Sequence, residues 1–222
     1  MAEANLFRCP LYEKYRPASW PEVVGQDKVV KQIRQLIDRG GLSGRAYWLS
    51  GGSGQGKSTI ARLIAHEVAD DFLVTEIDAS SLTVPQLREL ERDSQLSGWG
   101  DKPGRAYVIN ESHGLRKDVI RQLLVTLERI PQHAVWVFTT TNENEEALFE
   151  DCLDASPLLS RCISLPLARR GLAEAFASRA KEIAEREGLD GKPLKDYLRL
   201  VNENRSNFRA VLQAIEAGEM AS

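Results

Sequence analysis

The stretch Gly51-Gly52-Ser53-Gly54-Gln55-Gly56-Lys57-Ser58-Thr59 limits what this chain can fold into more than any other. It fits G-x-x-x-x-G-K-[ST], the pattern of a loop that cradles phosphate groups. The bulky apolar run Ala46-Tyr47-Trp48-Leu49 before it predicts a buried strand. Ile60, Ala61, Leu63, Ile64 and Ala65 after it recur at helical spacing. Strand, glycine-rich turn and helix therefore follow one another. Glycines suit the turn because backbone N–H groups must approach anionic oxygens with no side chain between, and the helix N-terminus adds a favourable dipole. In such a loop Lys57 reaches the β- and γ-phosphates of a nucleotide and the Ser58 hydroxyl ligates Mg²⁺. A flexible Gly/Ser linker would match the pattern by chance, and the flanking strand and helix count against it.

At 222 residues the chain is long enough for one domain or two small ones with a genuine core. Its net charge of -3 gives no overall attraction to nucleic acid, so any DNA contact has to come from a local patch or from assembly with other subunits. No apolar run approaches a membrane span and the N-terminus lacks a basic region leading into an apolar core, which predicts a cytoplasmic protein. Cys9, Cys152 and Cys162 are too few and too scattered for a disulfide framework or a four-thiolate zinc site and read as free thiols.

Along the chain, the two prolines between Leu11 and Gln26 predict an extended segment lying on the core. Asp27 to Arg39 has helical periodicity and ends at Gly40-Gly41. Phe72 to Ile77 reads as a second strand and Pro85 to Leu96 as a helix. Ala106 to Ile109 reads as a third strand, running into Asn110-Glu111. A carboxylate at a strand end beside a phosphate loop can polarise water for attack on a γ-phosphate, and Glu111 has that position; capping of the following helix is the plainer role. Residues 111 to 131 predict one amphipathic helix stopped by Pro131. Its Arg116, Lys117 and Arg121 suit either a phosphate backbone or a solvated face. Val135 to Thr139 is a fourth strand leading into Thr140-Thr141-Asn142, followed by an acidic connection over 143–157. After the strand Cys162-Ile163-Ser164-Leu165 the pattern is helical to the end, with helices over 172–187, 193–201 and 206–217.

Several of these stretches together resemble the clamp-loader subunits of the AAA+ ATPase family. The resemblance is carried by the phosphate loop, Glu13-Lys14-Tyr15-Arg16-Pro17 with Val24-Gly25-Gln26, and the Glu111, His113 and Leu123-Leu124-Val125-Thr126-Leu127-Glu128 series. Ser160-Arg161-Cys162, and Arg209 near the end, complete the set. It implies an α/β P-loop NTPase fold, a parallel five-stranded sheet between helices over residues 1–167, and a small helical lid over 168–222. It implies ATP and Mg²⁺ as cofactors. Tyr15, Arg16, Pro17, Val24 and Gln26 then border the base and ribose, Thr141 (or else Thr140) senses the γ-phosphate, and Arg209 closes onto it from the lid. Arg161 reaches the nucleotide of a neighbouring subunit, which implies a homo- or hetero-oligomer with DNA and a sliding clamp or another protein as partners. Relatives of this type carry Asp-Glu where this chain has Asn110-Glu111, so Asn110 would meet a metal-bound water without supplying charge. His113 is not assigned to a metal, having no second ligand at the right spacing.

The chain stops after the lid, where clamp loaders continue into a helical collar. Three functions stay open: an ATP-hydrolysing oligomeric switch in DNA replication or repair, a nucleotide-binding assembly or regulatory subunit with weak hydrolysis, and a remodeller of a protein partner with no DNA role.

Overall fold

The structure is a computed structural model that describes residues 9–141 and 155–221. Cys152, Asn142 and most of the acidic connection lie outside them. Contacts divide the chain into two compact units: Gln26–Gly52 with Gly56–Leu167, and the N-terminal segment up to Gly25 with Ser53–Gln55 and Ala168–Ser222. The N-terminal segment thus groups with the C-terminal helices.

The first unit is built on five parallel strands, β1 (Arg45–Gly51), β2 (Val74–Asp78), β3 (Arg105–Asn110), β4 (Ala134–Thr141) and β5 (Ile163–Pro166), in the order β2-β3-β4-β1-β5. Strands β1, β3 and β4 are nearly continuous apolar runs because helices cover both faces of the sheet. The edge strand β2 is half-exposed and more polar. Trp48, Tyr107, Ile109, Trp136 and Phe138 point to one face and pack with α4 (Val84–Ser94), α5 (Lys117–Leu127) and α6 (Ala155–Ser160). The alternate residues Tyr47, Leu49, Val108 and Val137 are buried on the other face. There α3 (Lys57–Val68) contributes Ile60, Ala61, Ile64 and Ala65, while α2 (Asp27–Asp38) buries Val29, Val30 and Ile33. Each fully buried side chain of this size is worth about 1.5–3 kcal/mol relative to exposure, so the two layers carry the unit.

Local signals set the boundaries. Thr83 and Gln86 form a reciprocal capping box that starts α4. The second strand begins at Val74, because Asp71–Leu73 make a 3-10 turn that leaves Phe72 exposed. The single helix expected over 111–131 is a correction: a left-handed residue at Glu111 and a 3-10 turn over Ser112–Gly114 precede α5, which starts at Lys117.

The second unit packs α7 (Ala173–Glu187), α8 (Leu194–Glu203) and α9 (Phe208–Glu216) around Phe176, Ile183, Tyr197, Val211 and Ile215. The expectation of a wholly extended N-terminal segment is also corrected. It contains α1 (Leu11–Lys14) and a 3-10 turn at Trp20–Glu22, and it buries Leu11 against the three helices. Proline is tolerated because Pro10 precedes α1 and Pro21 falls in the first turn of the 3-10 segment, where the missing N–H has no partner to lose.

Candidate nucleotide site

Parallel strands in the order found here bring the carboxyl ends of β1, β3 and β4 side by side, the end at which open α/β sheets hold ligands. Gly51 pairs with Thr141 across β1 and β4, and the Glu111 N–H reaches the Thr139 hydroxyl at 3.4 Å across β3 and β4. In the first unit, therefore, the start of the phosphate loop, Glu111 and Thr141 stand on neighbouring strand ends.

The loop itself runs from Gly51 at the end of β1 to Lys57 at the first turn of α3. Gly56, with φ of +100°, holds the position before the helix, and a Cβ there would meet nothing within 4 Å; the backbone angle alone calls for glycine. Lys57 is buried, and its Nζ donates to the carbonyls of Gly51 and Gly52 at 3.2 and 3.0 Å. The lysine is thus curled onto the loop's own carbonyls. The N–H groups of the first turn of α3, with Ser58 and Thr59, face the same end. Ser53, Gly54 and Gln55 belong by their contacts to the helical unit. Within that unit the Phe208 N–H donates to the Gly54 carbonyl at 3.2 Å, and Asn207 Oδ1 fills the place a Gly54 Cβ would take.

Glu111 is half-buried in the left-handed region at φ 50°, with its carboxylate 3.5 Å from His113 Nδ1 and no capping bond to the turn that follows. The plainer reading as a helix cap is thereby set aside, since α5 is preceded by Arg116. Thr141 Oγ1 is buried with no hydrogen-bond partner among the described residues. An orphaned hydroxyl at a strand end beside a phosphate loop is the arrangement a γ-phosphate or its attacking water would satisfy. Thr140 is fully buried and its hydroxyl donates to the Thr141 carbonyl. Asn110 is held by two neighbours: its Nδ2 donates to Glu76 Oε1 at 2.6 Å and its Oδ1 accepts from Thr139 Oγ1 at 3.0 Å.

Arg161 lies elsewhere in the same unit. It sits before β5, whose Ile163 is level with Tyr47, so it is roughly 20 Å along the sheet from Gly51 at a rise of about 3.3 Å per residue. Its Nε and Nη2 donate to Glu128 Oε1 and its Nη1 to the Pro157 carbonyl. Both partners are partly exposed, 30% for Arg161 and 58% for Glu128, which makes the pair easy to exchange. The adjoining Cys162 is a free thiol whose burial pushes its pKa up to about 12. Arg116, Lys117 and Arg121 are exposed at the start of α5.

The remaining expected residues fall in the helical unit, except Gln26, which is buried ahead of α2 in the first. Tyr15 donates to Glu187, which raises its pKa, with burial adding to the effect. Arg16 pairs with Glu13, Pro17 is partly buried and Val24 packs on the helical core. Arg209 is exposed and stacks over the Tyr12 ring at 5.4 Å. The residues that sequence reasoning passed over are Glu76, Glu128, Thr139 and Asn207. Only Asn207 carried a local signal, as an Asn just before a helix. The others matter through cross-strand and inter-helix partners.

No family model matches the chain. Over 163 residues it is 31% identical to the DNA polymerase III subunit gamma/tau of Mycobacterium tuberculosis (strain H37Rv), covering 62% of this chain and 28% of that one. The DNA polymerase III subunit gamma of Buchnera aphidicola is 33% identical over 60% of this chain and 42% of its own. The replication factor C large subunit of Methanocella arvoryzae is 24% identical over 95% and 36%. The chain thus spans well under half the length of these relatives. A solved RuvB variant from Thermotoga maritima superposes with a TM-score of 0.71 at 23% identity, over 91% of this chain and 65% of that one, which shows the fold. With the strand order and the loop geometry, these similarities make the chain a homologue of the clamp-loader AAA+ proteins, with their P-loop α/β fold.

Proposed function

We propose that the chain is the nucleotide-binding part of a clamp-loader-type AAA+ assembly that binds ATP with Mg²⁺, hydrolyses it, and serves as an oligomeric switch in DNA replication or repair. The observation that carries this reading is the convergence of Lys57, Glu111 and the unpartnered Thr141 hydroxyl on adjacent strand ends. Lys57 exchanges its two loop carbonyls for phosphate oxygens, and backbone N–H groups of the loop and of α3 take the remaining charge. Ser58 offers a hydroxyl to the metal, which when bound neutralises the charge that develops between the β- and γ-oxygens. Glu111 accepts the proton of the attacking water while Thr141 orients it. Tyr15, Arg16, Pro17, Val24 and Gln26 border the base and Arg209 responds to the γ-phosphate, as the family resemblance implies.

Arg161 cannot serve its own site from the far end of β5, and that distance supports its acting on the nucleotide of an adjoining subunit, homologous or not. A guanidinium in that role stabilises transition-state charge. Arg116, Lys117 and Arg121 are the residues proposed to meet DNA, and a sliding clamp or another protein is the proposed partner. One observation favours a second reading, an assembly subunit with slow turnover: the amide of Asn110 brings no charge toward the metal and both its polar atoms are engaged.

Titration of a labelled adenine nucleotide and steady-state phosphate release test both. Lys57→Ala should weaken binding at least about tenfold, whereas Glu111→Gln should keep affinity and lose on the order of 10² or more in turnover. Folded protein that takes up no nucleotide would end the first reading, and turnover that ignores Glu111 would leave the second.

A further inference from the structure

Asn110 differs from the acidic residue that the resemblance leads one to expect, and its surroundings supply a reason. Four side chains form a line across two strand pairs. Arg62 Nε, from α3, donates to Glu76 Oε2 at 3.0 Å. Glu76 Oε1 accepts from Asn110 Nδ2 at 2.6 Å. Asn110 Oδ1 accepts from Thr139 Oγ1 at 3.0 Å, and Thr139 Oγ1 in turn accepts from the Glu111 N–H at 3.4 Å. The line ends on the backbone of the residue held at φ 50°.

Position 110 must donate toward β2 and accept toward β4. An ionised Glu76 can only accept, and its second oxygen is already taken by Arg62. A carboxamide satisfies both neighbours. A carboxylate in its place would have nothing to donate and would set two like charges at hydrogen-bond distance, with Asp78, the residue level with position 110 on β2, a third. Asp78 is engaged by the Ser80 N–H and hydroxyl and offers no relief. Among the described residues the cation in a direct ion pair with Glu76 is Arg62, and it is matched to one carboxylate and not to two.

We propose that Glu76 and Asn110 are a matched pair: the neutral amide stands at 110 because Glu76 reaches it diagonally from β2, and Glu76 is a positioning residue that acts through Asn110 and Thr139 to hold Glu111 in its left-handed conformation. The catalytic half of this proposal rests on the reading of Glu111 as the base; the structural half does not. Asn110 in this arrangement is a connector and not a weakened acid. Restoring an aspartate there by itself should harm the protein.

The test is a double-mutant cycle on the whole chain: wild type, Glu76→Gln, Asn110→Asp and the two together, which exchanges amide and carboxylate between the strands. Without nucleotide, at one fixed pH and low salt, Asn110→Asp should lower the melting temperature by about 5 °C or more, and the double variant should recover most of that loss. Glu76→Ala should lower kcat about tenfold while KM for ATP moves less than about twofold, as expected for a residue that acts on Glu111 through two intervening side chains; Glu76→Gln, which keeps an acceptor, should lose less. An Asn110→Asp protein as stable as wild type, or a double variant no better than the sum of the singles, would overturn the pairing. Unchanged kcat in Glu76→Ala would overturn the positioning role. If wild type binds no nucleotide, the melting cycle still decides the pairing, so the two failures are told apart.

Discussion

Two glycines of the phosphate loop differ in what they would lose to alanine, and the difference can be worked from their surroundings. Gly56→Ala meets only a backbone penalty: the residue sits at φ +100° with open space around a new Cβ. A side chain held there costs about 1–2 kcal/mol. Gly54→Ala meets the same kind of penalty at φ +67°, and its Cβ also falls 1.8 Å from Asn207 Oδ1 and 3.2 Å from the Asn207 backbone. Rotation of Asn207 out of the way gives up the hydrogen bond by which its Oδ1 accepts from the Ala210 N–H at 3.2 Å and caps α9. Loss of an Asn cap costs about 0.5–2 kcal/mol. Gly54→Ala should therefore destabilise by roughly 2–4 kcal/mol, about twice Gly56→Ala. For a chain of this size that is roughly 5–15 °C in melting temperature. Thermal unfolding followed by circular dichroism, without nucleotide, reads the difference directly. The Gly54→Ala, Asn207→Gly double variant removes the obstructing side chain and should be less destabilised than the two single losses added together. Equal effects at Gly54 and Gly56, or strict additivity in the double variant, would show that the contact with Asn207 does not govern Gly54.

Two further outcomes follow from the segment before β5. Removing the Glu128 carboxylate with Glu128→Ala should lower turnover about threefold to tenfold in the assembled protein, with ATP affinity unchanged, because Arg161 loses the partner that fixes its Nε and Nη2 edge; in an Arg161→Ala background the same change should do nothing more. A rise in turnover would mean that Glu128 withholds the arginine and does not present it. Alkylation at pH 8, mapped by mass spectrometry of the peptides, should leave Cys162 essentially unmodified in the folded protein, since a thiol raised to about 12 by burial is protonated there. Its thiolate fraction is on the order of 10³ below that of an ordinary thiol, and rapid labelling of Cys162 would contradict the burial that raises it.

Much of the fold could be read from the chain because its signals are local. The three central strands are apolar on both faces, and the loop from Gly51 to Gly56 has a backbone that other residues would strain. The α4 start is fixed by Thr83 and Gln86, and the ends of the last three helices by ordinary caps and glycines. The errors arose where a partner far along the chain decides the outcome. Periodicity ran on from α5 back to Glu111, yet the chain bends there because the Glu111 N–H is drawn to Thr139, a residue of another strand. Leu11 forms a helix despite nearby prolines because it has the helical core to bury itself in.

Asn110 shows the same limit most clearly. Taken in sequence, an amide beside Glu111 is simply an acid that is missing, and the natural inference is a damaged metal site. Glu76 lies 34 residues earlier, on a half-exposed edge strand where acidic residues at alternating positions, Glu76 and Asp78, attract no notice. Once β2 and β3 pair, the two side chains reach across the same face and each explains the other: a carboxylate with one oxygen on Arg62 needs a donor for its second, and an amide whose oxygen is on Thr139 has one to give. A residue type that departs from expectation therefore has to be judged against its cross-strand neighbour before it is judged as a loss. Here the neighbour turns an apparent defect into a satisfied hydrogen bond that leads, through one hydroxyl, to the backbone of Glu111.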